Sequence, residues 1–172
     1  PDSTSTIDTV CTSYETVTQF LWMEDFENAG MSLDTTPRSQ AAIVKTTSDS
    51  VTFEGEHSGI ITMDTAKIKL EAVTHNSFII PLAPVYLELN FNTDNNLTVG
   101  VVIYMSLSLI QQPVITLLPT NGKWKKVYIE LTNSLNAYTG ATSFKVYLSA
   151  NTDTDRINSQ ILLDNIKLVS RK

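Results

Sequence analysis

Apolar and polar residues alternate along much of this chain, and that alternation restricts the folds it can adopt. In residues 84–92 the odd-numbered positions are Val, Leu, Leu and Phe, whereas the even-numbered positions after Pro84 are Tyr, Glu, Asn and Asn. After a polar turn at residues 93–96, the same period resumes over residues 97–105. Successive side chains of a strand point to opposite faces, so the pattern predicts a hairpin with one buried face and one solvated face.

Similar short segments, bounded by Asn, Asp, Gly and Pro, occur along the rest of the chain, whereas sustained helical periodicity does not. The further predicted strands are residues 18–27, 41–45, 50–53, 58–64, 68–73, 78–81, 114–118, 123–131, 143–150 and 160–169. Residues 132–138 favour one turn of helix between strands. Many short strands with turn residues between them predict an all-β fold, an antiparallel β-sandwich of the jelly-roll type.

The length and net charge of the chain exclude some classes of function. A chain of 172 residues fits one domain, and its net charge of −6 repels phosphate backbones, so nucleic acid is not an expected partner. No apolar run approaches the roughly 20 residues that a membrane-spanning helix needs, so no transmembrane segment is predicted. The single cysteine, Cys11, excludes an internal disulfide.

The first residues are rich in Ser and Thr and are typical of a solvated tether. We therefore predict a flexible N-terminal leader at residues 1–18 and a single domain at residues 19–172. A leader of this polarity suits a lipid-anchored protein outside the cell.

Four segments carry a resemblance to a known family. They are residues 24–28 (EDFEN), 56–60 (EHSGI), 122–131 (GKWKKVYIEL) and 163–166 (LDNI). In this order they resemble the galactose-binding-like jelly-roll domains, specifically the carbohydrate-binding modules appended to bacterial glycanases. The resemblance spans residues 21–169. It implies a non-catalytic carbohydrate-binding module of a secreted or cell-surface bacterial protein, with a polysaccharide or oligosaccharide as partner.

The same resemblance implies a structural calcium ion. In that family a glutamate of the first strand and an aspartate of the last strand bind the metal together with main-chain oxygens of an intervening loop. The implied ligands here are Glu27, Asp164 and main-chain oxygens from Glu56 to Ser58, and Asp25 is a reserve ligand because it is two residues from Glu27. In the metal-free alternative, Asp164 accepts backbone N–H groups or pairs with a lysine, and Asn165 caps a strand edge.

Tyrosines indicate where a sugar would bind, because aromatic rings stack on the apolar faces of pyranoses. Four tyrosines fall on the polar side of their strands, and we predict that they point outward with polar neighbours. The predicted ligand-binding residues are Tyr86, Glu88, Asn90, Tyr104, Tyr128 and Tyr147. The alternative is that these tyrosines only pair across strands without a ligand.

Enzymatic activity is not expected. The acids Glu24, Asp25 and Glu27 stand at i, i+1 and i+3, whereas laminarinase-like hydrolases place their acids at i, i+2 and i+5 along one strand. The sequence has neither a Gly-x-Ser-x-Gly motif nor a His-x-x-x-His pair. The competing hypothesis is a structural or adhesion sandwich with a protein partner, which would use residues 97–110 and the strand around Ile115.

Overall fold

The computed structural model describes residues 18–48, 51–152 and 158–171. Strands account for most of the described chain. In chain order they are β1 (Thr18–Glu24), β2 (Leu33–Thr35), β3 (Ile43–Lys45), β4 (Gly59–Asp64), β5 (Lys69–Thr74), β6 (Phe78–Ile79), β7 (Val85–Thr93), β8 (Leu97–Met105), β9 (Leu109–Leu117), β10 (Lys125–Glu130), β11 (Ala141–Asn151) and β12 (Asn158–Arg171). One short helix, α1 (Thr132–Asn136), confirms the predicted helical turn.

The strands form two antiparallel sheets of six strands each. Sheet A has the order β10-β7-β12-β4-β3, and β1 also pairs with β12. Sheet B has the order β2-β5-β11-β8-β9, and β6 also pairs with β11. The predicted antiparallel β-sandwich is therefore confirmed.

The core lies between the two sheets and follows the alternation read from the sequence. In β7 the side chains of Val85, Leu87 and Leu89 are at most 1% exposed, and Phe144 and Leu148 of β11 are buried opposite them in the same cluster. Burying each such side chain contributes roughly 1.5–3 kcal/mol. The polar residues of the same strands consequently lie on the outer faces of the sandwich, where any binding surface must be built.

The first and last strands lie side by side. β1 pairs with β12 in antiparallel register, with Thr18 opposite Arg171 and Glu24 opposite Ile166. This confirms that the two ends of the described chain meet in one sheet. β1 ends at Glu24, three residues earlier than predicted, because Phe26 adopts a positive φ of 61° and buries its ring in the core.

Asp164 and Asn165 interrupt the apolar strand β12 at a β-bulge. The register against β7 shifts between Asp164 and Lys167, and Asn165 has a positive φ of 48°. Asparagine tolerates this left-handed conformation better than most residues. The bulge lets Leu163 and Ile166 both face the core while Asp164 points to the outer face of sheet A.

Several predicted boundaries differ from the structure. Strand β2 was not predicted, and the described residues of segment 50–53 contain no strand. β9 starts at Leu109 rather than at residue 114, and it accommodates Pro113 because it is an edge strand of sheet B. Apart from Thr18, the predicted leader lies outside the described residues, as does Cys11. Within the described ranges no helix combines the length and hydrophobicity of a membrane span.

Candidate functional site

Asp164 fastens a loop onto the outer face of sheet A. Its Oδ2 accepts hydrogen bonds from the Ser58 hydroxyl at 2.7 Å and from the Glu54 N–H at 3.2 Å. Its Oδ1 accepts the N–H of Asn165 at 2.7 Å, and the Asn165 amide donates to the Glu54 carboxylate at 2.8 Å. The two polar residues in the middle of β12 therefore hold the loop between β3 and β4.

Asp164 is only 1% exposed, and this burial changes the pKa of its carboxyl. Desolvation raises the pKa of its carboxyl above the ordinary value, and the negative charge of Glu27 acts in the same direction. Hydrogen bonds from Ser58, Asn165 and Glu54 oppose this rise. The net effect is a raised pKa, so ionisation of Asp164 is less favourable at this position than in water.

Glu27 holds the same loop from the other side. Its Oε1 accepts the backbone N–H groups of Glu56 and His57, both at 3.0 Å. The backbone passes close to this carboxylate at Gly55, which has a φ of 71°, and a Cβ built there would lie 2.3 Å from Glu27 Oε1. Glycine is therefore required at this turn on both conformational and steric grounds.

An acidic cavity of about 270 Å³ opens between these elements. Its lining residues are Met23, Asp25, Glu27, Glu54, Gly55, Asp164 and Asn165. Carboxylate oxygens converging on one cavity are the donors that calcium prefers. Glu24, by contrast, is 2% exposed and caps the turn after β1, because its carboxylate accepts the N–H groups of Phe26 and Ser32.

The structure places the predicted metal ligands in two groups. Asp25, Glu27 and Asp164 line the acidic cavity, whereas Glu56 and Ser58 are not among its lining residues. The loop turns the N–H of Glu56 towards Glu27, and the carbonyl of Ser58 accepts the N–H of Thr46 at 2.8 Å. Over the described residues, groupings of three or more His, Cys, Asp or Glu side chains suited to a metal do not occur. Asp25, Glu27 and Asp164 therefore share one cavity without forming a metal-binding grouping in this geometry.

A second cavity of about 270 Å³, here called the tyrosine pocket, lies further along the outer face of sheet A. It is lined by Thr18, Phe20, Tyr86, Glu88, Tyr128, Lys167, Val169 and Arg171. Phe20 is 65% exposed and Tyr128 is 62% exposed. Glu88 is paired with Lys126 at 2.6 Å, and the Arg171 guanidinium lies 5.4 Å from the centre of the Tyr86 ring.

The outer face of sheet B carries a larger cavity of about 380 Å³, here called the sheet B groove. It is lined by Thr36, Pro37, Arg38, Glu71, Val73, Val102, Tyr104, Leu109 and Gln111. The carboxylate of Glu71 is almost buried and pairs with Lys69 at 2.9 Å and with Arg38 at 3.9 Å. Charged, amide and aromatic groups therefore surround one recess.

The six predicted ligand-binding residues do not form one surface. Tyr86, Glu88 and Tyr128 meet in the tyrosine pocket, whereas Tyr104 lies in the sheet B groove. The remaining two are not available on an open face: Asn90 is 3% exposed and Tyr147 is 2% exposed. Tyr147 lies on the outer side of its strand, as predicted, but its prediction as a ligand-binding residue is wrong, because the ring is buried by close packing against Gly100 of the neighbouring strand.

Sequence reasoning missed several side chains of these sites. Glu54 and Asn165 join the acidic cavity through a loop, and Phe20 and Arg171 join the tyrosine pocket through the pairing of β1 with β12. Glu71 joins the sheet B groove. Glu71 could have been recognised from the sequence, because it stands among apolar residues in the middle of β5. A charged side chain at such a position requires a nearby partner.

The chain is similar in structure to several solved carbohydrate-binding modules. A xylan-binding domain of CBM 22 aligns at 14% identity and a TM-score of 0.56 over 88% of this chain and 94% of that chain. The CBM22-2 xylan-binding domain of Xyn10C from Paenibacillus barcinonensis aligns at 14% identity and a TM-score of 0.56 over 87% and 98%, respectively. A mutant of the family 29 module CBM29-2 aligns at 10% identity and a TM-score of 0.51 over 91% and 93%.

No protein-family profile matches the sequence, and no curated protein matches it. At the identities of the structural matches, the likeness establishes the fold alone. It confirms that the chain has the jelly-roll sandwich of carbohydrate-binding modules, as the resemblance implied.

Proposed function

We propose that this domain is a non-catalytic carbohydrate-binding module and that the sheet B groove holds the sugar. The observation that carries the proposal is the cavity of about 380 Å³ on this face. Val102, which lines it, is 7% exposed, although it alternates with core residues and faces away from the sandwich interior. Outward side chains in central strands are buried only where flanking groups rise around them, and a recess of this kind excludes water from a bound ligand.

The chemistry of the groove suits a neutral sugar. Tyr104 is half-buried and offers a ring on which the apolar face of a pyranose can stack, with Val102 and Leu109 beside it. Glu71 and Gln111 supply acceptors and donors for hydroxyl groups. The charge of Glu71 is already balanced by Lys69 and Arg38, so a ligand need not carry charge to bind there. The fold matches named as xylan-binding domains support this class of ligand.

Substitution of Tyr104 by alanine tests the proposal. We expect at least about a tenfold loss of affinity for a polysaccharide such as xylan, because one stacking ring contributes on the order of 1–3 kcal/mol in comparable contacts. Isothermal titration calorimetry measures the loss. The control is Leu82→Ala, which removes an exposed apolar side chain outside the three cavities and should leave xylan binding unchanged. Absence of binding to any neutral glycan on an array would contradict the proposal.

We also propose that calcium binds in the acidic cavity, with Glu27, Asp25 and Asp164 as side-chain ligands and the Glu54 carboxylate beside them. The ion would neutralise acids that otherwise repel each other at the junction of β1, β12 and the β3–β4 loop. Its role would be structural, because this cavity lies on sheet A and the sheet B groove lies on the other sheet.

Chelation provides the measurement for calcium. With calcium at about 100 times its Kd, removal by EDTA should lower the melting temperature by roughly 5–10 °C. Glu27→Gln should reduce this response, whereas Glu130→Gln, an exposed change on β10, should retain it. Equal melting temperatures with and without chelator, together with no bound metal by elemental analysis, would rule the ion out.

Placement in a secreted or cell-surface bacterial protein, with or without a lipid anchor, belongs to the same proposal and is supported by the family resemblance. The alternative function is a sandwich that binds a protein partner. One observation favours it: the edge strand β9 and its flanking residues expose large apolar side chains, including Leu107 at 100%, Leu109 at 57% and Leu118 at 66%. A silent glycan array combined with self-association in light scattering, abolished by Leu118→Lys, would favour this alternative.

A further inference from the structure

The tyrosine pocket is a second site, separate from the sheet B groove because it lies on the outer face of the other sheet. Three aromatic side chains border it: Tyr86 from β7, Tyr128 from β10 and Phe20 from β1. Tyr86 lies opposite Val169 in the β7–β12 register, and Val169 lies opposite Phe20 in the β1–β12 register. The rings are thus fixed on adjacent strands around a cavity slightly below the roughly 300–1,000 Å³ typical of small-molecule sites.

The exposure of these rings is not explained by folding. Burying a large aromatic side chain stabilises a protein, yet Phe20 and Tyr128 leave about two thirds of their surface in water. The two tyrosines each neighbour a cation: Lys126 lies 5.1 Å from the centre of the Tyr128 ring, and Arg171 lies beside Tyr86. An exposed aromatic cluster with adjacent cations is a surface that a ligand can cover.

Charge distinguishes this pocket from the rest of an acidic chain. Among the residues that the structure describes, Glu88 is the only carboxylate that lines the pocket, and it is paired with Lys126 at 2.6 Å and with Lys167 at 4.0 Å. Glu130 of β10 lies opposite Tyr86 in the register of β10 with β7 and does not line the cavity. Two cations, Lys167 and Arg171, therefore line the pocket with one carboxylate in a chain whose net charge is −6.

Arg171 is the lining cation whose guanidinium is not in an ion pair with any described carboxylate. Throughout residues 18–48, 51–152 and 158–171, no carboxylate lies within ion-pair distance of its guanidinium, which lies 5.4 Å from the centre of the Tyr86 ring. Its backbone is held in place, since its N–H donates to the carbonyl of Pro84 at 3.0 Å. A guanidinium offers a planar fork that binds a carboxylate through two parallel hydrogen bonds.

We propose that the tyrosine pocket binds an acidic sugar, with the sugar ring against Tyr86 and Tyr128 and its carboxylate at Arg171. A neutral sugar offers the Arg171 fork only neutral hydroxyl oxygens, whereas a uronate unit covers the aromatic surface and also supplies a carboxylate for a charge-assisted, bidentate pair. Lys167, already shared with Glu88, lies across the pocket and adds attraction for the same negative charge. This site does not rest on the proposed function of the sheet B groove.

Calorimetry with oligogalacturonate, its methyl ester and a sulfated galactan tests the proposal at low and high salt. We expect the free acid to bind about tenfold more tightly than the ester, with the difference shrinking at high salt because screening weakens the ion pair. Arg171→Gln should remove that difference, and Tyr128→Ala should weaken binding of both forms. Lys123→Gln is the matched control and should change neither, since Lys123 is an exposed cation that lines none of the three cavities.

Equal affinity for the acid and its ester would overturn the proposal, as would an Arg171→Gln variant that discriminates as the parent protein does. Equal affinity for the sulfated galactan would overturn the assignment to a carboxylate. Melting curves of each variant verify that folding is intact, and both substitutions are at exposed positions. Xylan binding that is lost in Tyr104→Ala but kept in Arg171→Gln would support the groove independently, so the two proposals fail separately.

Discussion

Replacing Asp164 with alanine is expected to destabilise the domain by about 3 kcal/mol. The Ser58 hydroxyl and the N–H groups of Glu54 and Asn165 would each lose their acceptor, and leaving a buried donor unpaired costs about 1–3 kcal/mol. The alanine variant no longer buries the Asp164 carboxylate, and the desolvation cost that this removes offsets part of the sum. For a chain of this length the loss corresponds to roughly 6–12 °C in melting temperature. Chemical denaturation and thermal melts measure both quantities.

Asp164→Asn is the matched control, because an amide keeps one carbonyl acceptor and removes the repulsion from Glu27. It should cost clearly less than Asp164→Ala. An alanine variant as stable as the parent would show that the β3–β4 loop is not held by this carboxylate.

The difference in stability between the parent protein and Asp164→Asn should depend on pH. The pKa of Asp164 is raised above its unfolded value of 3.8, so the folded state binds the proton more tightly than the unfolded state. The stability that this group contributes is therefore present below pH 3.8 and is lost as the pH rises through the raised folded pKa. In buffer with chelator, the stability of the parent protein relative to Asp164→Asn should increase as the pH falls across that window. A flat difference would contradict the assignment.

Gly100→Ala is expected to cost about 3 kcal/mol, the second large effect. A Cβ at this position would lie 2.3 Å from Cε1 of Tyr147, 2.4 Å from the carbonyl oxygen of Gln112 and 3.0 Å from Cα of Pro113. Two of these neighbours are backbone atoms of the paired strand β9, which cannot swing aside as a side chain can. Overpacking of this kind costs about 1–3 kcal/mol or more.

Gly30→Ala is the control for the Gly100 substitution, because nothing lies within 4 Å of its Cβ position and its φ is not positive. It should be neutral or slightly stabilising, since alanine restricts the unfolded chain. Adding Tyr147→Ala to Gly100→Ala should relieve the ring clash and leave the backbone clash. Unfolding free energies equal for Gly100→Ala and Gly30→Ala would show that the two strands separate without cost.

The strands and their inward faces could be predicted from the sequence because both follow from a local period. Residues 84–92 and 97–105 alternate so regularly that β7 and β8 were expected within about one residue of their ends. Segment 50–53 resembled a strand in its composition, but Ser58 and Asp164 hold its neighbourhood as a loop, with the Phe53 N–H bonded to the Ser58 hydroxyl at 3.0 Å. A tertiary contact thus determined the local structure there.

The sites were less predictable because they depend on which strands pair and on which side chains of the outer faces are covered by neighbours. Alternation assigned Tyr147 correctly to the outer side of its strand, yet it gave no information on whether neighbours cover that side. Phe20 and Arg171 are far apart in sequence and meet only through the register of β1 with β12. The bulge at Asn165 likewise depends on a side chain that reaches Glu54 across a loop.

The pairing of Thr18 with Arg171 also matters for protein engineering. Register partners in antiparallel strands have Cα atoms only about 4.5–5.5 Å apart, so a linker of a few residues could join these two positions into a closed ring. New ends could then be opened in the turn between β8 and β9, at the rim of the sheet B groove. A circular permutant of this design would display a fused reporter beside the groove and leave sheet A uninterrupted.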